Sequence, residues 1–307
     1  MNGILIVDKP QGMTSHAVVG RVRRLFGLRK VGHAGTLDPL ATGVLVVALG
    51  QATRILQYLM EENKTYRASL LLGMTTDTQD SEGQVIETHE TSHLGTEQIL
   101  DVCMSMVGSI DQLPPMYSAL KKDGVPLYKL ARQGIEVVRT ARTVTIFSLQ
   151  SLTVQSPHVS FDVCCSKGTY VRTLCHDIGA KLGCGAHLTS LRRLQSAPFT
   201  EDDAVTLDEI ERSAPEDRHR FLLSIGEALR EYPSLVVSDE GVKRLSYGIP
   251  PTTDMLAEHI DISEGTLVLL VSLNGPLAIT RFAPSRINES RGDFELLKVF
   301  NDCGGFE

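Results

Sequence analysis

The chain has 307 residues, 42% of them apolar and 22% charged, with a formal net charge of −7 and no tryptophan. That length supports one large core plus a smaller unit, and the composition is that of an ordinary globular protein. The longest apolar run, VLVVAL at 44–49, falls far short of the ~20 residues that span a bilayer, so no membrane contact is expected.

The first residues, MNGILIVDKP, lack the basic start and full apolar stretch of a secretory signal. Six cysteines at 103, 164, 165, 175, 184 and 303 show no zinc-ligand spacing. Reduced thiols in a cytoplasmic protein are the expectation. The charge is unevenly divided: residues 201–307 carry −11 and residues 1–200 carry +4. Bases cluster further, with five in RVRRLFGLRK (21–30) and six in 121–142. Such clusters suit phosphate backbones, although solvated helix faces would look the same.

In chain order, GILIV (3–7) predicts a buried strand ended by the turn DKPQG. Ser15 is placed to cap a helix running to Phe26, with Val18, Val19, Val22, Leu25 and Phe26 on one face and Gly27 as its stop. GVLVVALG predicts a second buried strand, 51–63 a short helix, KTYRASLLLG a strand, TTDTQDSEGQ a polar loop and 96–107 a helix. Residues 111–143 change character: LPPMYSALKKDG, then a basic helix-like piece, reads as an exposed insertion. HVSFDVCC (158–165) alternates as a half-buried strand does, and the next helix places Leu174, Ile178 and Leu182 on one face before GCG. An acidic, helix-rich connector follows residue 200, and from about 233 short strands and Gly/Pro turns take over. Strands and helices without regular alternation argue for an α+β fold.

Asp38 stands alone in GHAGTLDPLATG, with no second acid nearby. Asp before Pro often opens a turn or caps a helix. Yet the residues after it form no amphipathic helix, and Gly32, Gly35 and Gly43 imply backbone that bends or approaches something closely. The pattern leaves two choices open: a turn residue, or a nucleophile that works without metal or cofactor.

Five blocks bear on that choice: DKPQGMTSHAVVGRVRR, VGHAGTLDPLATGVLVVALGQATRILQYL, KTYRASLLLGMTTDTQDSEGQ, PPMYSALKKDGVPLYKLARQGIEV and CSKGTYVRTLCHDIGAKLGCGAHLTSLRRL. In order and content they resemble the TruB family, the bacterial tRNA pseudouridine-55 synthases, over residues 3 to about 195. The C-terminal segment resembles the small PUA-type RNA-binding domain through GVKRLSYGIPP and its β-rich pattern.

The resemblance implies an α+β catalytic domain over 1–232 with a mixed, largely antiparallel sheet and a thumb-like insertion at about 111–143. A PUA-like domain would follow over 233–307. It implies isomerisation of a flipped uridine in the tRNA T-arm, with no cofactor and no metal. The expected setting is a cytoplasmic monomer with no obligatory protein partner. Asp38 matches the nucleophile, acting at C1′ or C6 of the nucleoside. Arg172 matches the arginine that pairs with it through bidentate hydrogen bonds, and Asp80 the acid that steadies that arginine. Tyr66 matches the tyrosine that stacks on the base and serves proton transfer. His33, Tyr170, Leu191, Lys9 and Arg132 match substrate-binding positions. The basic stretch at 21–30 would add phosphate contacts. Two alternatives stand beside this: an RNA-guided synthase of a ribonucleoprotein, and a tRNA-binding or folding protein without essential catalysis.

Overall fold

The computed structural model describes residues 1–258, 261–273, 275–285 and 292–300. The first part of the chain forms β1 (Gly3–Lys9), α1 (Ser15–Phe26), β2 (Val31–Ala34), β3 (Thr42–Leu49), α2 (Leu56–Met60) and β4 (Lys64–Leu72). Next come β5 (Met74–Thr76), β6 (Val85–Thr88), α3 (Thr96–Met104) and β7 (Gly108–Gln112). The inserted stretch holds β8 (Lys121–Lys122), β9 (Val125–Pro126) and α4 (Leu127–Ala131). Then β10 (Arg142–Gln155), β11 (His158–Cys165), α5 (Val171–Leu182) and β12 (Ala186–Ser196) complete the main path.

One large sheet organises these elements, with β1, β3, β12, β4, β11, β10 and β7 side by side in that order. All of these neighbours are antiparallel except β3 and β12, which run parallel. The sheet is therefore mixed and largely antiparallel, in an α+β fold. Strand β1 reads as a continuous apolar run because both its faces are covered. Leu5 and Val7 pack with Val18, Val19 and Val22 of α1, while Ile4 and Ile6 pack on the other side with Ala52, Ile55 and Tyr58. Burying each such side chain stabilises the fold by about 1.5–3 kcal/mol before entropy is charged against it.

Helix α1 stops at Gly27, whose φ of 63° is the left-handed geometry glycine tolerates. Its cap differs from expectation: Thr14 accepts from the amide of Ala17, and Ser15 is the first helical residue. Ser15 is buried instead, and its hydroxyl is used elsewhere. The segment 51–63 is a 3-10 turn over Gly50–Ile55 followed by the short α2 rather than one helix. Strands β10 and β12 were not anticipated.

The inserted stretch runs from 113 to 141, between the antiparallel neighbours β7 and β10, so it is an elaborated hairpin connection. Its β8–β9 turn is made by Asp123 and Gly124, both at positive φ. After β12 the acidic connector returns to the large sheet, its Val205–Thr206 and Leu222–Leu223 both pairing with β1. The remaining chain forms a separate four-stranded sheet from Ser234–Val236, Leu267–Ser272, Gly275–Phe282 and Phe294–Val299. Leu269, Ile279 and Phe300 join the core that also holds Ile4, Ile55 and Tyr58. Five described cysteines are free, and Cys303 lies outside the described residues. Among the described residues no helix is long and apolar enough to cross a membrane.

Candidate active site

Asp38 sits in the loop between β2 and β3. Its carbonyl accepts from the amide of Ala41, so the backbone does make a proline-containing turn. The side chain is a separate matter: it is 36% exposed and faces Arg172. The turn's backbone and the carboxylate beside Arg172 thus belong to the same residue.

The loop is held from below by the stretch that links β1 to α1. Ser15 Oγ donates to the carbonyl of Leu37 at 3.1 Å and accepts from the Leu37 amide at 2.8 Å. The Gly12 amide donates to the Pro39 carbonyl at 2.8 Å. Lys9 is wholly buried, and its ammonium donates to Met13 O at 2.6 Å, Pro10 O at 2.9 Å and Pro39 O at 3.4 Å. This corrects the expectation that Lys9 binds substrate: its donors are occupied by backbone and it has no open surface. Burial lowers its pKa to about 8, against the attraction of Asp38 and Glu82.

Ser15 is the most local of these props, and its replacement gives a direct check. Ser15→Ala leaves the Leu37 amide and carbonyl unpaired in a buried place, which costs about 1–3 kcal/mol. The expected outcome is a lower melting temperature. An unaltered melting temperature would show that the loop holds its shape without this hydroxyl.

Arg172 lies in the first turn of α5 and is 5% exposed. A cation is disfavoured at a helix N-terminus, and two carboxylates offset this. Its Nη2 lies 3.4 Å from Asp38 Oδ2 and its Nη1 3.6 Å from Asp80 Oδ2. The bidentate pairing expected with Asp38 is absent. Only Nη2 reaches that carboxylate, at 3.4 and 3.5 Å, because its short bond, 2.6 Å, goes to the carbonyl of Tyr117. The inserted stretch therefore touches the site through its backbone. Asp80 is no solvated loop residue: it is 4% exposed, accepts from Thr78 Oγ1 at 2.5 Å and from the Glu82 amide at 3.0 Å.

Burial pushes the Asp38 carboxyl above the usual range and Asp80 adds to this, while Arg172 and Lys9 pull it back. Tyr66, on β4, is half-buried and packs between the two large core clusters with Leu191 of β12. Burial raises its phenol, which feels both Arg193 and Asp38. Tyr170 is half-buried, its ring 5.8 Å from the Arg172 guanidinium carbon. Its backbone is clamped by Gln112, whose side chain donates to Tyr170 O and accepts from Tyr170 N. His33, on β2, meets His16 edge-on at 5.3 Å, and burial lowers its pKa.

Arg132 is exposed at the end of α4, over the ring of Tyr128, and reaches the Asp38 site only indirectly, through its charge near Tyr117, whose carbonyl holds Arg172. In the basic stretch, Arg21 is paired with Asp208 and Glu211, and Arg23 donates to Val31 O. Arg24, Arg29 and Lys30 remain exposed. Two residues behind the site, Ser15 and Arg193, carry no sequence signal that distinguishes them from an ordinary cap and a surface base. Among the described residues no group of His, Cys, Asp and Glu is arranged to hold a metal.

Two family models match the chain. "TruB family pseudouridylate synthase (N terminal domain)" covers residues 23–171 and "tRNA pseudouridylate synthase B C-terminal domain" covers 172–230. In fold, the chain is similar to one in the archaeal box H/ACA sRNP Nop10-Cbf5 complex, at a TM-score of 0.73 and 29% identity, covering 98% of this chain and 87% of that one. The fold is that of a pseudouridine synthase, an isomerase. The tRNA pseudouridine synthase B of Syntrophotalea carbinolica is 74% identical over 304 residues, 99% of each chain. That of Geobacter sulfurreducens is 45% identical over 98% of this chain and 100% of its own. The chain belongs to the TruB family.

Proposed function

We propose that the chain converts uridine 55 in the tRNA T-arm to pseudouridine, as a cytoplasmic, stand-alone monomer that needs no cofactor, with Asp38 as nucleophile. The observation that carries this is a part-exposed carboxylate beside a buried guanidinium, near enough to the half-buried Tyr66 phenol to act on it electrostatically. The names of the close relatives support tRNA as the substrate.

Reaching a stacked T-arm uridine requires flipping it out, at a cost of a few kcal/mol. Tyr66 gives the extruded base an aromatic face, Leu191 and Tyr170 line the pocket, and His33 contacts the RNA where the base leaves. Asp38 adds to C1′ or C6, and the C1′–N1 bond breaks. The uracil turns, C1′ bonds to C5, and the carboxylate leaves. C5 gives up its hydrogen as a proton and N1 gains one, so the product is an isomer of the substrate. Arg172 keeps Asp38 anionic enough to attack although burial opposes it.

Release of tritium from a tRNA transcript carrying 5-tritiated uridine tests this, because forming the C5 bond expels that hydrogen. Release by the purified chain, lost when uridine 55 is replaced by cytidine, is the expected result. The fold likeness to the archaeal box H/ACA chain keeps one other reading in view, an RNA-guided enzyme. Bound but unreacted bare transcript would favour it. A wild type and an Asp38→Asn variant that refold tRNA equally, with neither releasing tritium, would instead mark a folding protein.

The inserted stretch supplies exposed bases at Lys121, Lys122, Lys129 and Arg132. Replacing the four with glutamine is expected to weaken tRNA binding and flatten its salt dependence, by about 0.7–0.9 in the log–log slope per lost phosphate contact. Filter binding from low to high salt measures it. An unchanged slope would place the phosphate contacts elsewhere.

A further inference from the structure

Arg193 is 1% exposed and heads the wholly buried side chains by volume. It lies on β12 directly opposite Tyr66 of β4, and on its other side it pairs with Gly43 of β3. Residues directly opposite on neighbouring strands share a face, with Cβ atoms about 5 Å apart. The guanidinium accordingly lies on the same face as the Tyr66 ring and close enough to lower the phenol's pKa, against the larger effect of burial. In the other direction its Nε donates to Val44 O at 2.6 Å and its Nη2 to Gly35 O at 3.3 Å. Gly35 and Val44 bracket the loop that carries Asp38.

The surroundings leave it no slack. Gly43 has a φ of 95°, and a Cβ there would lie 2.3 Å from the Arg193 carbonyl oxygen, so β3 and β12 approach at this point as closely as backbones can. The hydrogen-bond partners given above are all neutral. A buried cation without a carboxylate is no source of stability, and an apolar side chain of similar volume would do as well or better. What the arginine adds is geometry: one rigid, planar fork bonded to two fixed carbonyls, Val44 and Gly35, and set beside the Tyr66 ring.

We propose that Arg193 is a positioning residue for the isomerisation, fixing the distance and angle between the Asp38 loop and the Tyr66 ring. This rests on the roles given above to Asp38 and Tyr66. The flipped base lies between nucleophile and ring, and Arg193 sets the spacing of those two walls without touching the base. A misplacement of ~1 Å across such a gap lowers a rate by about 100-fold.

The test is a double-mutant cycle on single-turnover tritium release, with tRNA affinity measured alongside. Arg193→Lys keeps the charge and loses the fork, so the rate is expected to fall about 100-fold with unchanged affinity. In Tyr66→Phe protein the same change is expected to cost much less, because the phenol oxygen beside the guanidinium has gone. Wild-type rate in Arg193→Lys, or multiplicative single effects, would overturn the proposal. Should Arg193→Lys fail to fold, Arg193→Gln carries the test: it keeps a planar donor for one carbonyl and loses the fork, so the rate must fall at unchanged affinity, and a wild-type rate overturns the proposal. Release by Asp38→Asn would strike the underlying role of Asp38, and is scored separately.

Discussion

Asp38→Asn is expected to lower tritium release from tRNA by on the order of 10⁴-fold or more, with the tRNA still bound. Asparagine is nearly the same size and can keep its place beside Arg172, but its amide does not add to carbon and leave again. The loop itself should survive, since its supports are backbone and buried side chains: Ser15 on Leu37, and Gly12 and Lys9 on Pro39. Equal melting temperatures for the two proteins would establish that. A residual rate within tenfold of wild type would remove Asp38 from the chemistry and leave it as the opener of its turn.

Arg172→Met comes second in size. The substitution takes away the cation facing Asp38 and Asp80, and also the donor to the Tyr117 carbonyl. Asp80 is then a buried carboxylate without its cation, which costs about 3–5 kcal/mol. The rate should fall about 100- to 1,000-fold, the scale at which lost electrostatic donors act in enzymes.

The pH profile gives a sharper readout. Attack needs the ionised carboxylate, so the rate rises as pH climbs through the Asp38 pKa. Burial raises that pKa and Arg172 opposes the rise. Removing Arg172 takes away the opposing influence, so the acid limb of the profile moves to higher pH. A limb that stays in place while the rate drops would assign Arg172 to holding the inserted stretch through Tyr117.

The elements read most easily from the sequence were those with one dominant period. Strand β11 alternates strictly, with Val159, Phe161, Val163 and Cys165 all buried. Helix α5 carries Leu174, Ile178 and Leu182 inward and stops at Gly183 with φ 74°. Strand β10 escaped because its alternation is broken twice, between Ile146 and Ser148 and again between Gln150 and Thr153, where Ser151 takes a positive φ. Strand β12 escaped for a related reason: AHLTSLRRLQS carries two bulges and two arginines, one of them buried. The positions of Asp38, Tyr66, Arg172 and Asp80 came from resemblance, and the local pattern around each was compatible with a turn, a core tyrosine, a surface base or a solvated acid. Tertiary burial decides among these, and no window of sequence contains it. Ser15 shows the limit most plainly, since a serine one place after the true cap looks like the cap.

The order of strands has a consequence for how the protein is made. β12, residues 186–196, lies between β3 and β4, which are joined by only 14 residues and leave the ribosome more than 100 residues earlier. Until β12 arrives, β4 lacks this partner and presents an open edge that invites pairing with other chains, while on β3 only Thr42 and Gly43 await it, the other end of that strand being paired with β2. The same insertion brings in Leu191 and Arg193, and the helix just before it brings Arg172. A nascent chain thus carries its aspartate from the start, yet the site that would use it closes only when the last central strand is threaded in. Contacts spanning so much sequence make that closure slow. Truncated products ending before residue 186 would be both inert and prone to aggregate.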